Sequence, residues 1–142
     1  MSAKPSLTLQ RRFNAAPAKV FRAWTEAAQF VKWMHPTGAE VIRAEVDARV
    51  DGRFAVGFRK PDGQQLEIYG QYRDVVPDAK LVFTWTWRSN PEQESLVTVL
   101  LRADGNGTLL TLTHEQFIDE EMRDLHQSGW GHGLDALERY LA

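Results

Sequence analysis

DEEMRDLHQSGWGHGLDALERYLA, residues 119–142, has the pattern of one long amphipathic helix. Asp119 can cap its start, and Glu120 and Glu121 place negative charge on the first turn, where the helix dipole favours it. Apolar side chains and one histidine recur at three- and four-residue spacing, which gathers them on one face. These positions are Met122, Leu125, His126, Trp130, Leu134, Leu137 and Leu141. We therefore expect this face to lie against an apolar partner.

Three glycines interrupt this helix at positions 129, 131 and 133. An interior helical glycine costs about 1 kcal/mol relative to alanine, so each one needs a reason. One interpretation is close packing of the helix on a sheet. The other is a hollow beneath the helix, left by the missing side chains, with Trp130 and His126 on its wall. The sequence leaves both open.

The sequence before this helix predicts the sheet on which it packs, because the spacing of its apolar residues changes from helical to strand-like. Residues 7–13 alternate like a half-buried strand, and two short helices are predicted at 17–24 and 26–33. Between residues 38 and 117, apolar and polar residues alternate with a period of two. This pattern predicts further strands at 41–47, 53–59, 65–76, 81–87, 95–102 and 108–117. Short turns between consecutive strands favour an antiparallel meander. We expect an α+β fold of about seven strands, forming a single domain over residues 1–142.

Bulk composition excludes several classes of function. The 142 residues are 43% hydrophobic and 25% charged, with a net charge of −2 and no cysteine. No basic cluster points to nucleic acid, and no thiolate is available for catalysis or metal binding. The start of the chain does not resemble a signal peptide, and no apolar run approaches the roughly 20 residues that span a bilayer. We expect a cytoplasmic protein that binds neither nucleic acid nor membrane.

Catalytic and metal-binding motifs are not evident. His126 and His132 are six residues apart on the predicted helix, which points them in different directions, and His114-Glu115 lacks the second histidine of a zincin helix. We predict no metal site and no cofactor. His126 is the candidate acid or base if there is catalysis, because it lies on the apolar helix face one turn before Trp130.

Aromatic residues are the chemically distinctive set, and they include five tryptophans. Ligand pockets are mostly apolar with a few placed polar groups, which suits tryptophan and histidine. The alternative is that these side chains only fill the core. The predicted ligand-binding residues are Trp33, Phe54, Phe58, Tyr69, Trp85, Trp87, Phe117, His126 and Trp130. Strand register decides which of them face inward.

The order of several motifs resembles a known family. These motifs are Ala16-Pro17, Val20-Phe21-x-Ala23-Trp24-Thr25, Trp33-x-x-Pro36, Gly70-x-Tyr72-x-Asp74-Val75-x-Pro77, Leu81-x-Phe83-Thr84-Trp85, Gly107-Thr108 and Gly129-Trp130 with Leu134 and Leu137. In this order, across about residues 7–141, they are similar to the activator of heat-shock-protein ATPase homologue-like family of the START-like (SRPBCC) superfamily.

The resemblance implies a helix-grip fold, in which a curved antiparallel sheet of seven strands wraps around the long C-terminal helix and encloses a hydrophobic cavity. Members of the superfamily bind lipids, sterols, hormones or polyketides, and a few are cyclases. The family also implies a chaperone partner and a role in stress response.

Three functions follow as hypotheses. The first is a carrier or sensor that binds a small hydrophobic or amphipathic molecule between the sheet and the C-terminal helix. The second is a cyclase- or hydratase-like enzyme that uses His126 in the same pocket, and the third is a co-chaperone-like interaction module. We favour the binding protein over the enzyme. The sequence leaves open the identity of the ligand and whether the protein is a monomer or a homodimer.

Overall fold

The computed structural model describes residues 4–36 and 38–142, which form a sheet and three helices. The strands are β1 (Leu7–Phe13), β2 (Glu40–Val46), β3 (Arg53–Arg59), β4 (Gln65–Val76), β5 (Lys80–Trp87), β6 (Ser95–Asp104) and β7 (Gly107–Glu115). The helices are α1 (Pro17–Thr25), α2 (Ala27–Trp33) and α3 (Glu120–Leu141). The predicted α+β fold is confirmed, with seven strands, two short helices after the first strand and a long C-terminal helix.

The seven strands form one curved antiparallel sheet in the order β1-β7-β6-β5-β4-β3-β2. Strands β2 to β7 follow one another as a meander, as predicted. Strand β1 instead pairs with β7, so that Leu7 lies opposite His114 and Phe13 lies opposite Thr108. The two short helices explain this arrangement, because they carry the chain from the β1 edge of the sheet to the β2 edge.

Strands β4 and β5 approach each other closely at Gly70. A Cβ atom at this position would lie 1.9 Å from the carbonyl oxygen of Thr84, so only glycine fits. The pairing of β4 with β5 also shifts register between Tyr72 and Asp74. Irregularities of this kind bend a strand and increase its twist, and we attribute part of the curvature of the sheet to them.

Helices α1 and α2 are held together through two buried tryptophans. Pro17 is the first residue of α1, where its fixed φ and missing N–H are favourable. The rings of Trp24 and Trp33 lie 4.6 Å apart, edge to face. Trp33 Nε1 donates a hydrogen bond of 2.9 Å to the carbonyl oxygen of Ala23. Such contacts supply the stability that helices of this length lack in isolation.

Helix α3 begins at the predicted cap, where Asp119 Oδ1 accepts a hydrogen bond of 2.9 Å from the backbone N–H of Met122. Its apolar face is buried from Trp130 to Leu141. Leu125 departs from the prediction, since its side chain is 63% exposed. The reason is that the first half of α3 borders an open cleft rather than a packed sheet.

The core lies between the sheet and the helices, and both contribute to it. The largest fully buried side chains include Phe13, Trp24, Trp33, Phe58, Leu112 and Leu134. Within residues 4–36 and 38–142, none of the helices combines the length and hydropathy needed to cross a membrane.

Candidate functional site

A cleft of about 610 Å³ lies between the sheet, the turn after α2 and the N-terminal half of α3. It is open to solvent and its wall is mostly apolar. The sheet contributes Phe58, Leu66, Ile68, Trp85 and Trp87. The turn after α2 contributes Met34, His35 and Pro36, and the segment after β5 contributes Ser89 and Asn90. The predicted residues Phe58, Trp85, Trp87, His126 and Trp130 therefore meet around one space, and its use as a ligand site remains a prediction.

Strand alternation decides which residues of β4 reach the cleft. Leu66 and Ile68 line it. Tyr69 was predicted as a ligand-binding residue, but it lies on the opposite face, where the guanidinium of Arg88 stands 5.5 Å from its ring centre. Neighbouring residues on a strand point to opposite faces, so Ile68 and Tyr69 cannot both contribute.

Three other predicted residues lie outside the cleft. Trp33 is fully buried against Trp24. Phe54 is buried in the sheet, with its ring 5.4 Å from that of Phe83. Phe117 lines a separate pocket of about 80 Å³. Trp33 and Phe54 therefore support the wall from behind, and Phe117 lies beyond it.

The facing wall is helix α3, through His126, Gly129, Trp130 and Gly133. A Cβ atom added to Gly129 would meet no atom within 4 Å, and one added to Gly133 would lie 3.9 Å from the ring of Trp33. Close packing therefore does not explain Gly129, which borders open space. Of the two interpretations of these glycines, the hollow fits Gly129, whereas Gly133 makes an ordinary contact.

Several cleft residues were not among those predicted, including Leu66, Ile68 and Met122. The alternation along β4 was the signal that could have identified Leu66 and Ile68. Met34 and His35 carried no such signal, because the position of the turn over the cleft depends on how α2 packs.

His126 is held by two hydrogen bonds. Its Nδ1 lies 2.8 Å from the carbonyl oxygen of Met122, and its Nε2 lies 2.9 Å from Nε1 of Trp87. A carbonyl only accepts and an indole N–H only donates, so Nδ1 carries the proton and Nε2 accepts. Burial lowers the pKa of His126, although the bond to Met122 opposes this. Neither ring nitrogen is free to exchange a proton with a molecule in the cleft.

His114 is fully buried behind the cleft and is also neutral. Its Nδ1 accepts a hydrogen bond of 2.9 Å from Nε1 of Trp130, and its Nε2 lies 2.7 Å from Oγ of Ser95. Ser95 Oγ donates to the carbonyl oxygen of Trp85, so Nε2 of His114 is the donor to Ser95. Burial, helped by the nearby His126, lowers the pKa of His114 to about 2. His114 therefore has a structural role.

Two indoles are left without a partner. In the described part of the chain, Nε1 of Trp24 and Nε1 of Trp85 are buried and make no hydrogen bond. An unpaired buried donor costs about 1–3 kcal/mol.

No three His, Cys, Asp or Glu side chains come together as metal ligands among residues 4–36 and 38–142. The rings of His114 and His126 lie 5.1 Å apart, but all of their nitrogens are engaged in the hydrogen bonds described above. The wall of the cleft is mostly apolar, and its polar residues include His126, Ser128 and His132.

Comparisons with solved structures give close matches over nearly the whole chain. The AHSA1 protein of Silicibacter pomeroyi superposes with a TM-score of 0.87 at 28% sequence identity, covering 96% of this chain and 97% of that chain. A protein of Chromobacterium violaceum gives 0.86 at 26% identity, covering 96% of both chains. CalU16 of Micromonospora echinospora gives 0.73 at 26% identity, covering 96% of this chain and 76% of that one.

Of two sequence comparisons, one identifies a family. A search of curated proteins gave no match. The family model described as Activator of Hsp90 ATPase homolog 1-like protein matches residues 14–142, which include every residue that lines the cleft. The resemblance inferred from the motifs is confirmed, and the chain belongs to the Activator of Hsp90 ATPase homolog 1-like protein family.

Proposed function

We propose that this protein binds a small hydrophobic or amphipathic molecule in the cleft between the sheet and α3, as a carrier or sensor. The observation that carries the proposal is the cleft itself, about 610 Å³ in volume and walled by Phe58, Trp85 and Trp130. Ligand pockets of proteins typically measure roughly 300–1,000 Å³ and are lined mainly by apolar and aromatic side chains. The cleft matches both properties.

Gly129, which lines the cleft, gives further support. Gly129 lowers the stability of an exposed helix by about 1 kcal/mol relative to alanine, and no neighbour requires its small size. A molecule that lies against the helix backbone would require it. A side chain at position 129 would occupy part of the space that the ligand needs.

A binding function agrees better with the site than catalysis does. An acid or base must exchange a proton with the substrate, which needs a free nitrogen or a free lone pair. The ring of His126 donates to Met122 and accepts from Trp87, so it first has to give up one of these bonds. The cyclase or hydratase hypothesis therefore has less support than the carrier.

A binding function also agrees better with the burial of the aromatic residues than an interaction module does. Trp24, Trp33, Trp85 and Trp130 are all buried, and Trp87 is half-buried. A module that used its tryptophans to bind another protein would present them on the surface. Here they face the interior or the cleft.

The test is a titration with N-phenyl-1-naphthylamine, a neutral apolar dye whose fluorescence rises in an apolar site. Gly129→Leu places a side chain in the cleft, and Gly131→Leu is the matched control. Gly131 lies on the same helix and also borders open space, but it does not line the cleft.

We expect saturable binding at one site in the wild type and in Gly131→Leu, and affinity lower by at least tenfold in Gly129→Leu. Equal binding by all three proteins would show that the dye does not occupy the cleft. No binding to the wild type would contradict the proposed function.

A further inference from the structure

The cleft and the small pocket of about 80 Å³ are separated by a shared partition. Both spaces are lined by Trp85, Trp87, Asn90, Met122 and His126. Within this partition, the hydrogen bond of 2.9 Å from Trp87 Nε1 to His126 Nε2 joins strand β5 to helix α3. The partition therefore contains a hydrogen bond between two side chains that line both spaces.

This bond requires a neutral His126. Nδ1 donates its proton to the carbonyl oxygen of Met122 at 2.8 Å, so Nε2 must offer its lone pair to Trp87. When His126 is protonated, both ring nitrogens carry hydrogens. Nε2–H would then face the N–H of Trp87, and because both groups are donors the bond is lost and the two rings repel.

We propose that the Trp87–His126 pair is a proton-operated gate in this partition, closed when His126 is neutral, whose opening joins the cleft to the small pocket and loosens the wall that holds a bound molecule. The gate rests on the proposed function, since it regulates the same cleft.

The groups around His126 agree with a gate that is closed at neutral pH. On the sheet side its ring faces His114 at 5.1 Å, which is neutral, and Trp85 at 6.3 Å. The small pocket is also lined by Lys4, Glu92 and Glu94. The two carboxylates would attract an imidazolium that moved toward this pocket, whereas Lys4 would oppose it. Burial lowers the pKa of His126 from the ordinary value of a histidine, so the gate is closed at neutral pH and opens only in more acidic solution.

The indole N–H signals of the tryptophans provide a direct test, because Trp33, Trp87 and Trp130 each donate to a different partner in the structure. We would record ¹H–¹⁵N spectra between pH 7.5 and 5.0, with Trp87→Phe to assign the signal of Trp87. That signal is expected to move with the titration of the ring of His126. The signal of Trp33, bonded to the Ala23 carbonyl, should stay in place and report that the fold is intact.

The matched variant is His126→Gln, which keeps a side-chain acceptor at this position but does not titrate. Its Trp87 signal should not change with pH. In the wild type, N-phenyl-1-naphthylamine should dissociate about fivefold faster at pH 5.0 than at pH 7.5, the change expected from the loss of about one hydrogen bond. In His126→Gln the rate should be the same at both values.

The possible outcomes distinguish failure of the gate from failure of the proposed ligand binding. A dye that binds at pH 7.5, together with a Trp87 signal or a dissociation rate that does not change with pH, would overturn the gate and leave the proposed function standing. Movement of the Trp33 signal along with that of Trp87 would mean general unfolding and would also overturn it. A dye that does not bind at pH 7.5 would overturn both.

Discussion

Trp130 Nε1 donates a hydrogen bond of 2.9 Å to Nδ1 of His114, and both side chains are buried. Because His114 is bonded in turn to Ser95, and Ser95 to the carbonyl oxygen of Trp85, a chain of hydrogen bonds joins helix α3 to strands β7, β6 and β5. The chain runs directly behind the cleft. It therefore fixes the distance between the helix and the sheet, and with it the shape of the space between them.

Trp130→Phe should lower the free energy of unfolding by about 1–3 kcal/mol, because Nδ1 of His114 is left buried without a partner. Trp130→Ala should lower it by about 3–5 kcal/mol, since the indole is only 3% exposed and its removal also leaves a void. Urea unfolding measures both. In a His114→Leu background, Trp130→Phe should have a smaller effect, and an unchanged effect would show that the bond contributes little.

Stability should fall as the pH is lowered below about 6.5. Burial lowers the pKa of His114 to about 2 in the folded protein, so the unfolded chain takes up a proton first and acid favours unfolding. The slope from this one group is about 1.4 kcal/mol per pH unit, and the lowered pKa of His126 acts in the same direction.

Urea unfolding at pH 7.5, 6.5 and 5.5 measures this slope in a range above the titration of most carboxylates. His114→Gln should have a shallower slope, and His132→Gln, which replaces an exposed histidine, is the control. An undiminished slope in His114→Gln would contradict the assignment of a neutral, buried His114.

Asp119→Ala should destabilise the protein by about 1 kcal/mol, because the backbone N–H of Met122 loses its acceptor. Asp119→Asn keeps an acceptor oxygen and should have a much smaller effect. Thermal unfolding of the two variants compares them directly. Equal losses would indicate that the charge of Asp119 at the helix start matters more than the cap.

Gly131→Ala should stabilise the protein by about 0.5–1 kcal/mol. The added methyl group meets no atom within 4 Å, and alanine restricts the unfolded chain more than glycine does. Denaturant unfolding checks this value. A loss of stability would mean that this turn of α3 needs the freedom of glycine.

Most of the fold could be predicted from the sequence because local patterns determine it. The alternation of apolar and polar residues, together with the turn signals, predicted the observed bounds of β3 and β4. Asp119 predicted the start of α3. The pairing of β1 with β7 is not a local property, since it depends on the path of the two short helices. The exposure of Leu125 could not be predicted from local sequence either. Its position on the apolar face of the helix is the same whether a sheet or open space lies beneath it.

The candidate site was predictable only in part. Trp85 and Trp87 share a strand face with Leu81 and Phe83. On β4, the prediction followed the aromatic character of Tyr69 and not the alternation that places Leu66 and Ile68 together on the face of the cleft. The roles of the histidines were harder to predict from the sequence. The patterns drew attention to His126 as an acid or base, whereas the structure gives both of its nitrogens protein partners and places a second neutral histidine, His114, beside it.

Native mass spectrometry of the freshly purified protein tests the central claim most directly. The wild type should carry a small molecule, or retain added N-phenyl-1-naphthylamine, at a ratio of one to one. Gly129→Leu should lose this extra mass and Gly131→Leu should keep it. A bare protein mass for the wild type, before and after incubation with the dye, would contradict the account that the cleft beneath α3 is a ligand-binding site.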